Sequence, residues 1–192
     1  MKCDAVYRIF SHLPTLRTER LVLRPLAVGD CFDMYDYAKR ADATKFLTWS
    51  PHSCVEHTKE YLKYIVEHYR LGDFYDWAVV VADEDRMIGT CGFTRFYCEH
   101  DAAEIGYVLN PDYHGKGYAT EAVSRVLEFG FDTLLLNRIE AKYMLGNDAS
   151  RRVMEKCGMQ FEGVRRSEML IKGVYRDVGV CAVLRSDFEK IE

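Results

Sequence analysis

The sequence has no apolar run long enough to cross a membrane and no excess of one charge. No stretch approaches the ~20 consecutive apolar residues of a membrane-spanning helix, and the segment MKCDAVYRIF lacks the apolar core of a signal peptide. The formal net charge is −4 over 192 residues, without the basic patch or stripe typical of nucleic-acid-binding proteins. These absences predict a cytoplasmic protein that binds neither a membrane nor nucleic acid.

Metal-binding and disulfide motifs are also absent. The seven cysteines are scattered and form no C-x-x-C pair, and the six histidines form no H-E-x-x-H motif. Two isolated pairs, Cys54 with His57 and Cys98 with His100, lack the second pair of ligands that a zinc site needs. We therefore expect no bound metal, and free thiols packed as small apolar side chains in a reducing compartment.

What the chain does contain is enough apolar material for a core. Hydrophobic residues make up 48% of it, and a chain of this length buries about 70% of its unfolded surface without a disulfide or metal. Only four prolines occur, and we find no repeat, low-complexity tract or linker. The sequence predicts a single domain over residues 1–192, with a core from about 18 to 188.

Helical and strand patterns alternate along the chain. A strand at Leu21–Leu26 precedes a helix that Asp30 could cap, through about Arg40. Another helix follows over residues 53–72, for which Ser53 and Glu56 form a capping box. Three strands with short connections follow and should pair antiparallel, at Trp77–Val81, Met87–Tyr97 and Ala102–Leu109. Strands and helices then alternate, which requires crossovers. The pattern predicts an α/β (α+β) fold, a mixed sheet with helices on both faces.

The most informative segment is a glycine-rich turn between a strand and a helix, NPDYHGKGYATEA at residues 110–122. Gly115 and Gly117 let the backbone bend tightly and leave no β-carbon to obstruct a ligand. The first amides of the helix have no internal acceptor, and the helix dipole adds partial positive charge. The turn therefore predicts a pyrophosphate site, to which Lys116 adds a full positive charge.

Two common nucleotide-binding patterns do not fit this turn. Thr120 stands where the third glycine of G-x-G-x-x-G belongs, and no Gly-Lys-Ser/Thr follows the glycines. Glycines at a helix start can also serve turn geometry alone, so the G-x-G element by itself leaves the ligand open.

The longer string AEIGYVLNPDYHGKGYATEA resembles the acetyl-coenzyme A binding segment of the GNAT N-acetyltransferases. Their pattern Gln/Arg-x-x-Gly-x-Gly/Ala falls on His114, Gly117 and Ala119, with histidine in place of the usual Gln or Arg. Three further segments match the RimJ/RimL-like branch, which acetylates ribosomal-protein N-termini: TERLVLRPL at 18–26, NDASRRVMEKCGM at 147–159 and YRDVGVCAVLRSDF at 175–188. The resemblance covers nearly the whole chain from Thr18.

This resemblance implies a GNAT-like, mostly antiparallel sheet of about seven strands. It also implies transfer of an acetyl group from acetyl-coenzyme A to a primary amine, on a protein N-terminus or a small molecule, by direct attack in a ternary complex. A monomer or homodimer is expected. The implied cofactor-binding residues are Tyr107, Val108, Leu109, His114, Gly115, Lys116, Gly117, Tyr118, Ala119, Thr120 and Asn147.

Glu104 is the expected general base, because the resemblance places a catalytic glutamate on the strand before the turn.

The family's usual tyrosine donor, seven residues after Asn147, is replaced by Met154, which cannot donate a proton. Ser150, one helical turn earlier, is the implied substitute and would hydrogen-bond the departing sulfur. From the residues alone, Glu104 is equally a solvent-facing strand residue, and Asn147 or Asp148 an N-cap.

Other functions remain open at this point. A non-catalytic sensor of the same fold would bind acyl-coenzyme A without turnover. A nucleotide-binding enzyme is a second alternative, but the sequence lacks the phosphate-loop motif that such an enzyme needs. An interaction protein would need an exposed apolar face, which Trp49, Phe74, Tyr75 and Trp77 could supply, although such side chains usually pack in the core. The acceptor itself is not revealed. Its pocket wall is expected around residues 46–52, including Trp49, Pro51 and His52.

Overall fold

In the computed structural model, which describes residues 3–188, eight strands form one sheet with helices on both faces. The strands are β1 (Leu16–Arg17), β2 (Leu21–Arg24), β3 (Asp76–Val81), β4 (Arg86–Tyr97), β5 (Ala102–Leu109), β6 (Arg138–Met144), β7 (Gln160–Ile171) and β8 (Val174–Leu184). The helices are α1 (Cys3–Phe10), α2 (Cys31–Ala38), α3 (Ala41–Thr44), α4 (Val55–Leu71), α5 (Tyr118–Glu128), α6 (Asp148–Lys156) and α7 (Arg185–Phe188).

The strand order is β1-β2-β3-β4-β5-β6-β8-β7, and only the β5–β6 pair is parallel. The mixed, mostly antiparallel sheet is therefore confirmed, and the two-residue β1 brings the strand number to eight. The single parallel pair arises because α5 carries the chain from the end of β5 back to the start of β6.

The parallel pair opens partway along its length. β5 pairs with β6 only from Ala102 to Ile105, opposite Arg138–Ala141, although both strands continue further. On its other side β5 stays paired with β4 as far as Leu109. Within the described residues, Gly106–Leu109 thus forms no ladder with β6, and a gap opens in the middle of the sheet.

Neighbouring side chains of β3 show which helices cover each face. The Trp77 ring lies 5.7 Å from that of Phe10 in α1 and 5.4 Å from that of Phe129, which follows α5. Asp76 points to the opposite face, where its charge acts on Tyr37 of α2 and Tyr61 of α4. Helices α2 and α4 therefore cover one face of β3, and α1 and α5 cover the other.

Two capping predictions differ from the structure. Helix α4 starts after Cys54, which makes no side-chain cap, so the Ser53–Glu56 capping box is wrong. Asp30 is the N-cap residue of α2, but its carboxylate pairs with Arg24 at 2.6 Å instead of capping the helix. The predicted end of α4 is confirmed, because Gly72 adopts φ 73°, a left-handed conformation that suits glycine.

The aromatic residues considered for an interaction face lie in or against the core. Trp77 is fully buried and donates a hydrogen bond from Nε1 to the Pro14 carbonyl at 2.7 Å. The half-buried Trp49, Phe74 and Tyr75 pack against the same core. None of the helices described between residues 3 and 188 combines the length and apolarity needed to cross a membrane.

The cysteines follow the sequence prediction with one exception. Five are free thiols, and four of these are buried: Cys31, Cys91, Cys157 and Cys181. Cys98 is disulfide-bonded, so the expectation of free thiols is wrong for this residue.

The first residue of β3, Asp76, is half-buried and carries a carboxyl group with one oxygen inside the fold. Its Oδ1 atom is buried and has no hydrogen-bond partner among the described residues. Because burial disfavours the charged form, the pKa of Asp76 is raised to about 7. An ionised carboxylate here destabilises the folded state unless a cation accompanies it.

Replacing Asp76 by Asn should remove this pH dependence. The unfolded aspartate has a pKa of about 3.9, so between that value and about 7 the folded state binds the additional proton. The free energy of unfolding of the wild type should therefore fall as pH rises through this window, by up to about 1.4 kcal/mol per unit. Urea unfolding at pH 5 and pH 8 measures this free energy. The stability of D76N relative to the wild type should be higher at pH 8 than at pH 5. An equal difference at both pH values would contradict the buried acid.

Candidate functional site

The glycine-rich turn leads into α5 with the backbone geometry that the sequence predicts. Gly115 has φ +76° and Gly117 has φ +85°, both in the left-handed region that other residues rarely adopt. Gly117 is the N-cap residue of α5 and provides no side-chain cap, so the first amides of the helix are left for a ligand. A β-carbon at Gly115 would meet nothing within 4 Å, which leaves this corner open.

The turn is held in place by Glu121, one helical turn into α5. Its Oε1 accepts hydrogen bonds from the Thr18 hydroxyl at 2.6 Å and the Arg20 main-chain nitrogen at 3.0 Å. Its Oε2 accepts one from Arg20 Nε at 2.7 Å. Burial opposes the charge, but these hydrogen bonds outweigh it and lower the pKa of Glu121, which keeps it ionised.

Arg20 also contacts the turn directly. Its guanidinium donates a hydrogen bond to the Lys116 carbonyl at 3.0 Å and lies 4.6 Å from the centre of the Tyr118 ring. These contacts link the start of β2 to the turn, a role for Arg20 and Glu121 that the sequence analysis missed. The signal was present in the TERLVLRPL motif, which contains Arg20, and in the Glu121 that follows the glycines.

A cavity of about 310 Å³ connects the turn to the gap between β5 and β6. Its wall includes every predicted cofactor-binding residue except Lys116, whose ammonium lies 4.8 Å from the centre of the Tyr113 ring. The cavity is also lined by Ser150 and by residues of α6 and of the segment around α3: Ala149, Arg152, Val153, Lys156, Asp42, Ala43, Phe46 and Leu47.

His114 anchors the turn to the strand before it. Its ring nitrogen Nε2 lies 3.1 Å from the main-chain oxygen of Leu109, the last residue of β5. Since a carbonyl oxygen only accepts, Nε2 is the protonated nitrogen of this hydrogen bond. The histidine that replaces the family's usual Gln or Arg thus fixes the geometry between the gap and the phosphate corner.

Tyr107 of β5 spans the gap and contacts Ser150 in α6. Its hydroxyl lies 2.9 Å from both the main-chain oxygen and the Oγ of Ser150. Because the carbonyl can only accept, the phenol donates its proton there and the Ser150 hydroxyl donates to the phenol oxygen. Burial raises the pKa of Tyr107, so the phenol stays neutral.

Asn147 serves as a cap and also lines the cavity. Its Oδ1 accepts a hydrogen bond from the Ser150 main-chain nitrogen at 3.3 Å, which fixes the first turn of α6. The two interpretations left open by the sequence, a cap and a ligand contact, are therefore compatible for this residue.

Glu104 lies outside the cavity wall and has two partners. Lys142 of β6 approaches its Oε2 at 3.0 Å, and the Thr94 hydroxyl donates to Oε1 at 3.1 Å. Burial opposes the charge on Lys142, but the carboxylates of Glu104 and Glu168 outweigh it and raise the pKa of the lysine. The sequence analysis missed Lys142, because the register of β5 against β6 is not visible in the residues.

The predicted acceptor wall is only partly next to the cavity. Phe46 and Leu47 line it, whereas the Trp49 and His52 rings pack against each other at 5.3 Å. His52 is buried, and its Nδ1 lies 2.7 Å from the Thr58 hydroxyl. Lys172, in the β7–β8 turn, donates a hydrogen bond to the main-chain carbonyl of Thr44, the last residue of α3, at 2.6 Å. The loop after α3 is therefore held against that turn.

Among residues 3–188, no group of three or more His, Cys, Asp or Glu side chains is placed to hold a metal ion. What the cavity offers is main-chain donors, glycine backbone, hydroxyl groups and the charged side chains of Asp42, Arg152 and Lys156. This is the chemistry of an anion corner joined to a strand-lined channel.

Comparisons with known proteins agree with this geometry. Residues 20–160 match the family model described as "Acetyltransferase (GNAT) domain". The uncharacterized N-acetyltransferase p20 of Bacillus licheniformis is 34% identical over 92% of this chain and 99% of its own length. The [ribosomal protein uS5]-alanine N-acetyltransferase of Escherichia coli K12 is 28% identical over 93% of this chain and 95% of its own length. The crystal structure of a GNAT-family acetyltransferase from Bacillus anthracis superposes with a TM-score of 0.80 at 29% identity. The match covers 90% of this chain and 99% of that protein.

Gly117→Asp should abolish coenzyme A binding, because it places a carboxylate beside the expected pyrophosphate and strains a residue at φ +85°. Calorimetric titration with acetyl-coenzyme A measures the loss, which we expect to exceed 100-fold in Kd. Gly173→Asp is the matched control, since Gly173 has φ +78° and open surroundings but lies in the β7–β8 turn. Unchanged affinity in G117D would refute the placement of the phosphates.

Proposed function

The chain belongs to the GNAT acetyltransferase family and is an N-acetyltransferase, and we propose that it uses acetyl-coenzyme A to acetylate a primary amine in a ternary complex. One observation carries the proposal: a single cavity joins the open glycine corner at Gly115–Gly117 to the unpaired half of β5. The corner suits the pyrophosphate of the donor, and the strand gap suits its extended pantetheine arm.

The pyrophosphate would bind the free amides at the start of α5, with Lys116 as a mobile cation at the mouth. The pantetheine arm carries amide groups and would lie along Tyr107–Leu109 in place of the missing β6 neighbour. It would take up main-chain hydrogen-bonding groups there that otherwise stay unpaired. The Asn147 side chain, at the edge of the cavity, would contact the same arm.

The chemistry is an attack by the neutral amine on the thioester carbonyl. A C–N bond forms, the tetrahedral intermediate carries a negative oxygen, and the C–S bond then breaks to release the coenzyme A thiolate. Main-chain N–H groups of Tyr107–Leu109 would stabilise the oxyanion, because they are fixed in place before the reaction begins. The proton lost by the amine goes to a base.

Glu104 is the proposed base, acting directly or through one water molecule. Its position on β5, just before the strands part at Ile105, places it beside the gap but not on the cavity wall. Lys142 and Thr94 orient the carboxylate. Lys142 could also stabilise the charge on Glu104 while the base is free.

Ser150 is the proposed partner of the leaving sulfur. Its hydroxyl donates to Tyr107 in this structure and could turn to the thiolate as the C–S bond breaks. A thiol with a pKa of about 8.5 leaves as a thiolate without full proton transfer. A hydrogen bond from the Ser150–Tyr107 pair is therefore sufficient for departure.

The acceptor is proposed to be a protein N-terminus or a small-molecule amine, and the assembly a monomer or homodimer of one acetyltransferase domain. The uS5-alanine relative supports a protein N-terminus. A cytoplasmic location is supported by the five free thiols, with the disulfide at Cys98 as an opposing feature.

Release of free thiol tests the proposed function. The protein is mixed with acetyl-coenzyme A and a panel of amines that includes N-terminal alanine peptides, and thiol is followed with time. Amine-dependent release is expected. Binding of acetyl-coenzyme A without release under every acceptor would favour a sensor over an enzyme.

Ser150→Ala should lower kcat about tenfold, the cost of one hydrogen bond to a developing charge. The Kd for acetyl-coenzyme A should change little, because Asn147 and the phosphate corner remain. Rapid-quench measurement of the acetyl-transfer step separates an effect on the transfer rate from an effect on product release. Tyr107→Phe is the matched variant: it keeps the ring and frees the Ser150 hydroxyl. A transfer rate in S150A equal to that of the wild type would remove Ser150 from the mechanism.

Glu104→Gln should lower the rate most at low pH, where loss of the amine proton limits turnover. The variant keeps an oxygen that can accept the hydrogen bond from Thr94, and it removes the negative charge together with the ion pair to Lys142. Steady-state rates between pH 6 and pH 9 test this, with Glu99→Gln, an exposed residue before β5, as the charge-matched control. A pH–rate profile of the same shape as the wild type would exclude Glu104 as the base.

A further inference from the structure

The ammonium group of Lys142 lies between two carboxylates, of which the proposed mechanism uses only one. Its Nζ is 3.0 Å from Glu104 Oε2 in β5 and 3.3 Å from Glu168 Oε1 in β7. The side chains of Lys142 and Glu104 are only 17% and 18% exposed, so water and salt screen this contact less than they screen an ion pair on the surface. Glu168 is therefore a second partner of the lysine that orients the proposed base.

Regular strand pairing would not bring Glu168 to Lys142. Strand β8 lies between β6 and β7, and Val180 of β8 is opposite Lys142. On β7 the residue opposite Val180 is Gly163, which has no side chain and lies five positions before Glu168. An uninterrupted ladder would thus place Glu168 about 17 Å along the strand from the row of Lys142.

An irregularity in β7 closes this distance. The strand bulges at residues 166–168, where three residues face the single residue Asp177 of β8. Ser167 has φ +52°, in the left-handed region that serine rarely adopts, and its main-chain nitrogen donates a hydrogen bond to Asp177 Oδ1 at 2.7 Å. Bulges often redirect a side chain next to an active site. This one brings the Glu168 carboxylate back over the sheet to Lys142.

The Glu168 carboxylate is fixed and charged at this position. Arg165 Nη1 lies 2.8 Å from Oε1, the same oxygen that Lys142 approaches. Burial opposes the charge on Glu168, but Arg165 and Lys142 outweigh it and lower the pKa of this glutamate. Glu168 therefore competes with Glu104 for the positive charge of the lysine.

The other charged groups that face Glu104 have different partners. Glu140 of β6 is directly opposite Glu104, and its Oε2 lies 3.1 Å from Arg138 Nη2. Arg95 of β4 is opposite Glu104 on the other side, and its guanidinium lies 5.0 Å from the centre of a tyrosine ring of the same strand. Among the residues that the structure describes, Lys142 is the one cation in salt-bridge contact with Glu104.

We propose that Glu168 is a positioning residue of the transfer site, which holds the Lys142 ammonium in place and takes up part of its charge so that Glu104 keeps its strength as a base. This rests on the proposed function, in which Glu104 accepts the proton of the amine. An ammonium paired with one carboxylate alone favours the ionised form of that carboxylate and so weakens it as a base. Sharing the ammonium between two carboxylates reduces this effect.

Glu168→Gln should move the acid limb of the pH profile of kcat to lower pH by about half a unit and lower the plateau about threefold. The amide keeps the size of the side chain, but Lys142 then pairs with Glu104 alone. The Kd for acetyl-coenzyme A should stay the same, because neither Glu168 nor Lys142 lines the cavity.

Glu162→Gln is the matched control for this measurement. Glu162 also lies at an irregularity of β7, but it pairs with Arg138 at 2.6 Å and should leave the profile unchanged. A profile of E168Q that falls without moving along the pH axis would overturn the proposal, because a loss of local packing alone produces that result.

The same substitution in the Glu104→Gln background shows whether Glu168 acts through the base. Without a carboxylate at position 104 the sharing of Lys142 has no effect on proton transfer, so E168Q should then change kcat by less than about 1.5-fold. A threefold loss that persists in the E104Q background would overturn the link between Glu168 and the base.

Labelling of lysines with acetic anhydride tests the shared contact without any transferase activity. Burial opposes the charge on Lys142, but the two carboxylates outweigh it and raise the pKa of this lysine. Loss of Glu168 should therefore increase the reactive neutral fraction of Lys142 and its labelling rate about threefold at pH 9. Mass spectrometry measures this rate against that of the exposed Lys59, in the wild type, E168Q and the control E162Q.

The labelling and kinetic results together separate the two proposals. Equal labelling of Lys142 in the wild type and E168Q would overturn the sharing of the lysine and leave the transferase intact. Faster labelling in E168Q, together with a wild type that releases no thiol with any amine, would overturn the proposed function and with it the positioning role of Glu168.

Discussion

The structure depends on one constraint: β5 cannot remain paired with both neighbours along its whole length. It keeps its ladder with β4 to Leu109 but leaves β6 after Ile105. The main-chain groups of the last four residues that face β6 then need water or a ligand, since unpaired polar groups inside a sheet are costly. A donor with amide groups along an extended arm can fill this gap as a strand would. In the proposed complex, binding of the donor and completion of the sheet are thus the same event.

The gap can serve chemistry only if its two sides hold a fixed distance. Tyr107 reaches from β5 to Ser150, and His114 ties the phosphate corner to the end of β5. Glu121 and Arg20 tie the same corner to the start of β2. These hydrogen bonds join three separate segments of the chain around one cavity. Their positions explain why motifs far apart in the sequence occur together.

The sequence alone predicted the features that depend on local pattern. The strands around the turn, the end of α4 at Gly72 and the need for glycine at 115 and 117 follow from spacing and backbone freedom. The partners of Glu104 could not be predicted, because Lys142 reaches Glu104 only through the β5–β6 register. The assumed capping box failed for a similar reason: α4 begins after Cys54, a start that residue preference does not favour.

Two carboxylates on one face of the sheet have opposite surroundings, and this difference assigns their roles. Glu104 has Lys142 and Thr94 as partners, so its side chain is oriented before any substrate arrives. Asp76 has no such partners, and burial alone governs its charge. A carboxylate already paired suits proton transfer at a fixed point, whereas a buried carboxyl group without partners favours its neutral form. The sheet thus holds a paired carboxylate at the gap and an unpaired carboxyl group two strands away, and only the first meets the demands of the proposed base.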